Sequence, residues 1–150
     1  MIEPFTIATV AADPGRIGIC RLPGRSGALA EDLSAIENWR PALVVSLTQI
    51  DEMEALGAGD LKRGLSELGL GWRHFPIEDF GVPAAAEEGL WRALADKLHA
   101  ALDAGEGVLL HCRGGFGRSG MVAARLLAER GAAGAEAVAR VRANRPGAVE

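Results

Sequence analysis

Residues 108–130 read VLLHCRGGFGRSGMVAARLLAER, with Cys112 and Arg118 six positions apart. His111 precedes the cysteine, Ser119 follows the arginine, and Gly114, Gly115 and Gly117 stand between them. A thiol attacks as its thiolate, which a positive and hydrogen-bonding surrounding favours. A guanidinium is a planar fork that can hold two oxygens of one phosphate. Glycines leave room for backbone N–H groups to turn inward. An apolar run ends at His111 and a run rich in alanine and leucine begins after Ser119. The loop therefore reads as the link from a strand's carboxyl end to a helix N-terminus. Inward amides and the positive end of a helix make an anion nest. This set can hold a tetrahedral oxyanion over a sulfur nucleophile, with the Ser119 hydroxyl placed to stabilise the sulfur as it leaves.

The elements that must position the loop follow from periodicity. The continuous apolar runs 42–47 (ALVVSL) and 107–112 (GVLLHC) are expected as strands covered on both faces. FTIATV (5–10) and RIGICRL (16–22) read as a strand pair joined by AADPG, and WRHFPI (72–77) reads as a further strand. Helical spacing is expected over 28–40, in two short helices over 51–71, and over 82–105. In the last of these Leu90, Leu94, Leu98 and Leu102 recur four apart and Gly105 gives the stop. Helices over 118–131 and 134–147 close the chain. Strands alternating with helices predict an α/β fold, one domain over 1–150, with a mostly parallel central sheet flanked by helices.

Composition narrows the functions. An apolar fraction of 49% fits a globular core, and a net charge of −4 disfavours a nucleic-acid partner. Any attraction for an anionic substrate must then be local. No apolar run is long enough for a bilayer, and the first fifteen residues lack the pattern of a secretory signal, so a cytoplasmic setting without membrane contact is expected. Two cysteines and three histidines give neither a disulfide framework nor a zinc cluster, so neither metal nor cofactor is expected. Nothing in the sequence fixes an oligomeric state.

HCRGGFGRSG resembles the His-Cys-x5-Arg-Ser/Thr loop of the cysteine-based protein tyrosine phosphatases, and its glycine pattern is most like the kinase-associated branch of the dual-specificity type. RHFPIEDFGVP (73–83), LVVSLTQIDEMEALG and the closing RPGAVE are similar to the same branch. The resemblance implies a protein tyrosine phosphatase-like fold and a metal-independent phosphomonoesterase working through a cysteinyl-phosphate. Cys112 is then the nucleophile and Arg118 the phosphate ligand, with the backbone amides of Arg113, Gly114, Gly115, Phe116, Gly117 and Arg118 assisting. His111 supports the thiolate through the hydrogen bonds of the loop. Asp79 is the general acid and then the base, with the adjacent Glu78 as its rival. An acidic residue after the SLT strand is expected to orient Arg118; Glu52 fits best, with Asp51 and Glu54 as alternatives.

Phe116 stands where lipid-directed relatives tend to carry lysine, which turns the expected substrate from inositides to phosphotyrosine, alone or with phosphoserine and phosphothreonine. A small phosphate ester, a catalytically idle phospho-binding module and a rhodanese-like sulfurtransferase are the alternatives. Cys20 reads as a small buried apolar residue, with a redox partnership to Cys112 as the lesser reading. Trp39, Trp72 and Trp91 read as core or cleft walls. His74 and His99 read as histidines without partners.

Overall fold

The computed structural model describes residues 4–25, 27–77 and 87–149. Five strands form one sheet in the order β1-β2-β5-β3-β4. They are β1 (Ala8–Ala12), β2 (Gly15–Cys20), β3 (Pro41–Ser46), β4 (Gly71–His74) and β5 (Gly107–His111). The β1–β2 pair is antiparallel and every other pairing is parallel. The helices are α1 (Leu29–Trp39), α2 (Ile50–Ala55), α3 (Leu61–Glu67), α4 (Glu88–Asp103), α5 (Gly117–Glu129) and α6 (Gly134–Asn144).

β5 lies in the middle of the sheet and is buried at all five positions. Its side chains alternate between two cores, as a strand's period of two requires. Val108 and Leu110 join Ile17, Ile19 and Val45 beneath α4, α5 and α6. Leu109 joins Val44, Leu22, Ile36, Leu61 and Leu65 beneath α1 and α3. Val44 and Val45, adjacent in β3, divide the same way. Two apolar faces explain why both central strands read as unbroken apolar runs. The fully buried leucines Leu109 and Leu110 of β5, and Leu98 and Leu102 of α4, each contribute roughly 2 kcal/mol of apolar transfer.

The strand pair at the N-terminus is shifted from its expected bounds. β1 begins three residues later than 5–10 and both strands run into AADPG, so that Ala12 pairs with Gly15 across Asp13–Pro14. Phe5 and Ile7 precede β1 and pack against the α1–α3 side. In α4 the inward face is Trp91, Leu94, Ala95, Leu98 and Leu102, whereas Leu90 is 67% exposed. A spacing of four overshoots a 3.6-residue turn by about 40° at each step, so one member of a four-leucine row drifts off the face. Residues 82–86, expected as the start of this helix, lie outside the described residues.

Registration places the strands' carboxyl ends in a row. Cys20 pairs with His111, His111 with Ser46, and Ser46 with His74. The segments leaving these four residues emerge at one edge, where open α/β sheets bind their ligands.

Candidate active site

The loop is built by its carbonyls. The Arg113 carbonyl accepts from Leu22 N at 3.2 Å and from Arg25 Nη1 at 3.2 Å. Those of Gly114 and Gly115 accept from Arg145 Nη2 and Nε, both at 2.9 Å. The Phe116 carbonyl accepts from Gly120 N at 3.0 Å and Val149 N at 3.1 Å. In a trans peptide the N–H points opposite to the C=O of the same plane. Four consecutive carbonyls tied outside the loop therefore turn the N–H groups of Gly114, Gly115, Phe116 and Gly117 toward its interior. Among the described residues no backbone acceptor meets these four N–H groups. α5 begins at Gly117 and adds its positive end.

Gly115 is the position that only glycine serves. Its φ is +79°, and a Cβ there would lie 2.7 Å from the carbonyl carbon and 2.8 Å from the oxygen of Cys20. The end of β2 is thus packed directly against the loop. Cys112, 3% exposed, follows β5 at the base of this cradle.

Arg118 lies in the first turn of α5 and is 2% exposed. Its Nη1 and Nη2 donate to Glu52 Oε1 and Oε2 at 2.7 and 2.8 Å, and Nη1 also donates to the Ile77 carbonyl at 2.9 Å. The two-pronged pair fixes the plane of the guanidinium. Glu52 itself is held by the first turn of α2, where its carboxylate accepts from Gln49 N in a capping box. Its hydrogen bonds from Arg118 hold its carboxyl below the usual range against the opposing effect of burial. Of the three acidic candidates, only Glu52 meets Arg118 in an ion pair among the described residues; Asp51 caps Glu52 N and Glu54 is exposed.

His111 is fully buried, and burial pushes its pKa down to about 4, so the ring is neutral near pH 7. Its tautomer follows from the Cys112 carbonyl, which can only accept: Nδ1 faces it at 3.5 Å and carries the proton, so Nε2 is the acceptor. The Ser46 hydroxyl donates to that Nε2. Trp72 Nε1 can only donate and does so to Ser46 Oγ at 2.8 Å, which starts the chain Trp72–Ser46–His111. Trp72, expected as a wall, is thus the first member of this chain. Ser46 was not singled out by the sequence: it meets His111 through the pairing of β3 with β5, which no pattern along the chain signals. Ser119 Oγ is buried in the first turn of α5 and has no hydrogen-bond partner among the described residues.

Two expectations are corrected. His74 Nε2 lies 2.6 Å from the Thr48 carbonyl and its ring stacks on Trp72, with centroids 5.5 Å apart. His99 Nε2 lies 2.9 Å from Glu129 Oε1. Both rings are half-buried, His74 at the end of β4 and His99 within α4, and each meets a polar atom far along the chain, a proximity that no spacing encodes. Cys20 is buried in the core opposite to the one that holds Cys112, and burial, then the nearby Cys112, push its thiol up. Asp79 and Glu78 lie outside the described residues. Among the described residues no His, Cys, Asp and Glu group could hold a metal ion, and no helix is long and apolar enough to cross a membrane.

The family described as "Polymorphic toxin system, DSP-PTPase phosphatase" matches residues 17–132. "Putative tyrosine phosphatase 067L" of Invertebrate iridescent virus 3 is 47% identical over 58 residues, which cover 38% of this chain and 24% of that protein. The chain thus spans about a quarter of that viral protein's length. The structure of Tk-PTP in its active form superposes with a TM-score of 0.65 at 31% identity, over 95% of this chain and 88% of that one. Kinase associated phosphatase superposes with a TM-score of 0.85 over 100% of this chain and 89% of that one; at 23% identity the likeness is one of fold. With its central sheet, its cysteine loop and a family match across most of its length, the chain belongs to the tyrosine and dual-specificity family of cysteine-based phosphatases.

Proposed function

We propose that the protein hydrolyses phosphomonoesters through a cysteinyl-phosphate at Cys112. The Cys112 thiolate attacks phosphorus, a P–S bond forms and the P–O ester bond breaks. Asp79 gives its proton to the leaving oxygen. Water then attacks the phosphocysteine, Asp79 takes a proton from it, and the P–S bond breaks to return the thiolate and release phosphate. The Ser119 hydroxyl donates to the departing sulfur. Arg118 and the loop amides hold the three equatorial oxygens, which carry most of the charge in the transition state. The observation that carries this reading is the set of four outward carbonyls around Cys112, with a planar guanidinium fixed beside them.

Asp79 is assigned on the family segment PIEDFGVP; it stands two positions after Ile77, whose carbonyl accepts from Arg118. The substrate is phosphotyrosine in a protein, alone or with phosphoserine and phosphothreonine, in agreement with the family. Two free thiols suit a reducing compartment such as the cytoplasm.

Cys112→Ser tests the mechanism. It should lower turnover by roughly a thousandfold or more and still bind phosphoesters, because the loop and Arg118 bind and the sulfur reacts. Retention of about a tenth of the activity would rule out the covalent route. Asp79→Asn should slow phenyl phosphate far more than a nitrophenyl ester, whose leaving group needs little protonation; the same effect in Glu78→Gln instead would move the acid by one residue. Turnover of inositol phosphates or nucleotides in preference to phosphopeptides would replace the substrate class.

A further inference from the structure

The segment after α6 holds the loop from behind. Arg145 sets two of its donors on consecutive loop carbonyls, Nη2 on Gly114 and Nε on Gly115, and its guanidinium carbon lies 4.0 Å from the centroid of the Phe116 ring. Val149 N donates to the next carbonyl, that of Phe116. This segment therefore supplies partners to three of the four outward carbonyls. It is itself fastened: Arg142 Nε and Nη2 donate to the Ala148 and Val149 carbonyls at 2.9 and 2.7 Å, and Ala148 is 1% exposed. The fit to α5 is close, since a Cβ on Gly120 would lie 2.7 Å from Val149 N. The turn uses a φ of +90° at Gly147 and +61° at Val149, a backbone that a β-branched residue rarely adopts.

We propose that Arg145 is a positioning residue of the phosphate cradle, which orients the peptide planes 114–115 and 115–116 and adds its charge to the field on the bound anion. The proposal rests on reading the loop as an anion cradle. Free of outside partners, a glycine-flanked peptide plane can rotate with little steric hindrance, and each rotated plane turns a carbonyl dipole toward the anion in place of an N–H. Arg145 opposes that rotation by two hydrogen bonds from one rigid fork, a geometry that lysine cannot reproduce. It forms no ion pair with a carboxylate among the described residues, so its charge stays available to the loop. The stack on Phe116 holds the fork in plane.

Binding of inorganic phosphate, read by calorimetry and by the rise in melting temperature that it causes, tests this without any need for turnover. Arg145→Gln should weaken phosphate binding about tenfold, and kcat for an aryl phosphate should fall by roughly the same factor or more, because transition-state charge is held by the same amides. Arg145→Lys should fall short of wild type in both, having the charge without the planar fork that spans two carbonyls. Arg140→Ala, which removes an α6 arginine bonded to Ala11 O away from the loop, should leave both unchanged. A folded Arg145→Gln protein with wild-type phosphate affinity and kcat overturns the proposal. Should that variant not fold, wild-type values in Arg145→Lys overturn it equally. A wild-type protein that binds phosphate and hydrolyses no phosphoester would fail the proposed function alone, leaving the phosphate comparison among Arg145 variants as the test here.

Discussion

Arg118 is buried and Glu52 half-buried, and the worth of their charge pair lies in what breaking it leaves behind. With Arg118 2% exposed, removing the Glu52 charge leaves a buried guanidinium without the carboxylate that its two Nη atoms meet. Glu52→Gln keeps the shape and one acceptor but loses the charge. It should cost about 2–3 kcal/mol in a denaturant titration, and lower kcat/KM roughly tenfold as the fork loses its fixed plane. Unchanged values on both counts would mean that the Glu52 charge does not orient the arginine. His111 gives a pH dependence of known sign. The unfolded ring takes up a proton below its ordinary 6.5, whereas the buried one does so only near pH 4. Unfolding therefore binds a proton in that window, and stability falls as pH drops through it. The loss attributable to His111 is on the order of 3 kcal/mol at most. Glu52 and Glu129, both held below the ordinary range, add to the wild-type slope with the same sign. The difference between wild type and His111→Gln should isolate the histidine, and equal slopes from pH 6.5 to 4 in the two proteins would show that the ring is not the titrating group.

The loop is an element whose shape depends on its neighbours more than on its own propensities. Gly115→Ala places a methyl group within 2.9 Å of Arg21 N and closer still to Cys20 backbone atoms, at a φ that disfavours a Cβ. Strand backbone cannot yield as a side-chain tip can. The variant should lose about 2 kcal/mol or more of stability and most of its affinity for phosphate. A Gly115→Ala protein that binds phosphate normally would show that the β2 contact does not hold the loop. The site elements were legible in the chain to differing degrees. The β5–loop–α5 unit declares itself, because an apolar run, three glycines and an amphipathic run are local signals within 23 residues. Glu52 was reachable only through resemblance, since 66 residues separate it from Arg118 and no periodicity links them. Ser46 and the contacts of Arg145 were not legible, for they arise from strand registration and from how α6 packs on α5, which a linear pattern does not carry.

The molecule as a whole arranges four strand ends in a row and lets the segments leaving them close around one point. The α/β class and parallel sheet follow from the alternation of apolar runs and helical spacing; the antiparallel β1 and the place of β5 at the centre depend on pairings between distant segments. A chain with a net charge of −4 still concentrates Arg25, Arg113, Arg118 and Arg145 in or against the loop, so attraction for an anion is local to the site. In the proposed function, what separates a phosphatase from a domain that only binds phosphate is a covalent step at Cys112. Acid-quenching the enzyme during turnover of an aryl phosphate, followed by peptide mass mapping under acidic conditions, reads that step directly. The peptide bearing Cys112 should carry the mass of one phosphoryl group, and it should be unmodified in Cys112→Ser. Sustained turnover with no phosphoryl group on that peptide at any quench time, or the group found on another residue, would contradict nucleophilic catalysis by Cys112.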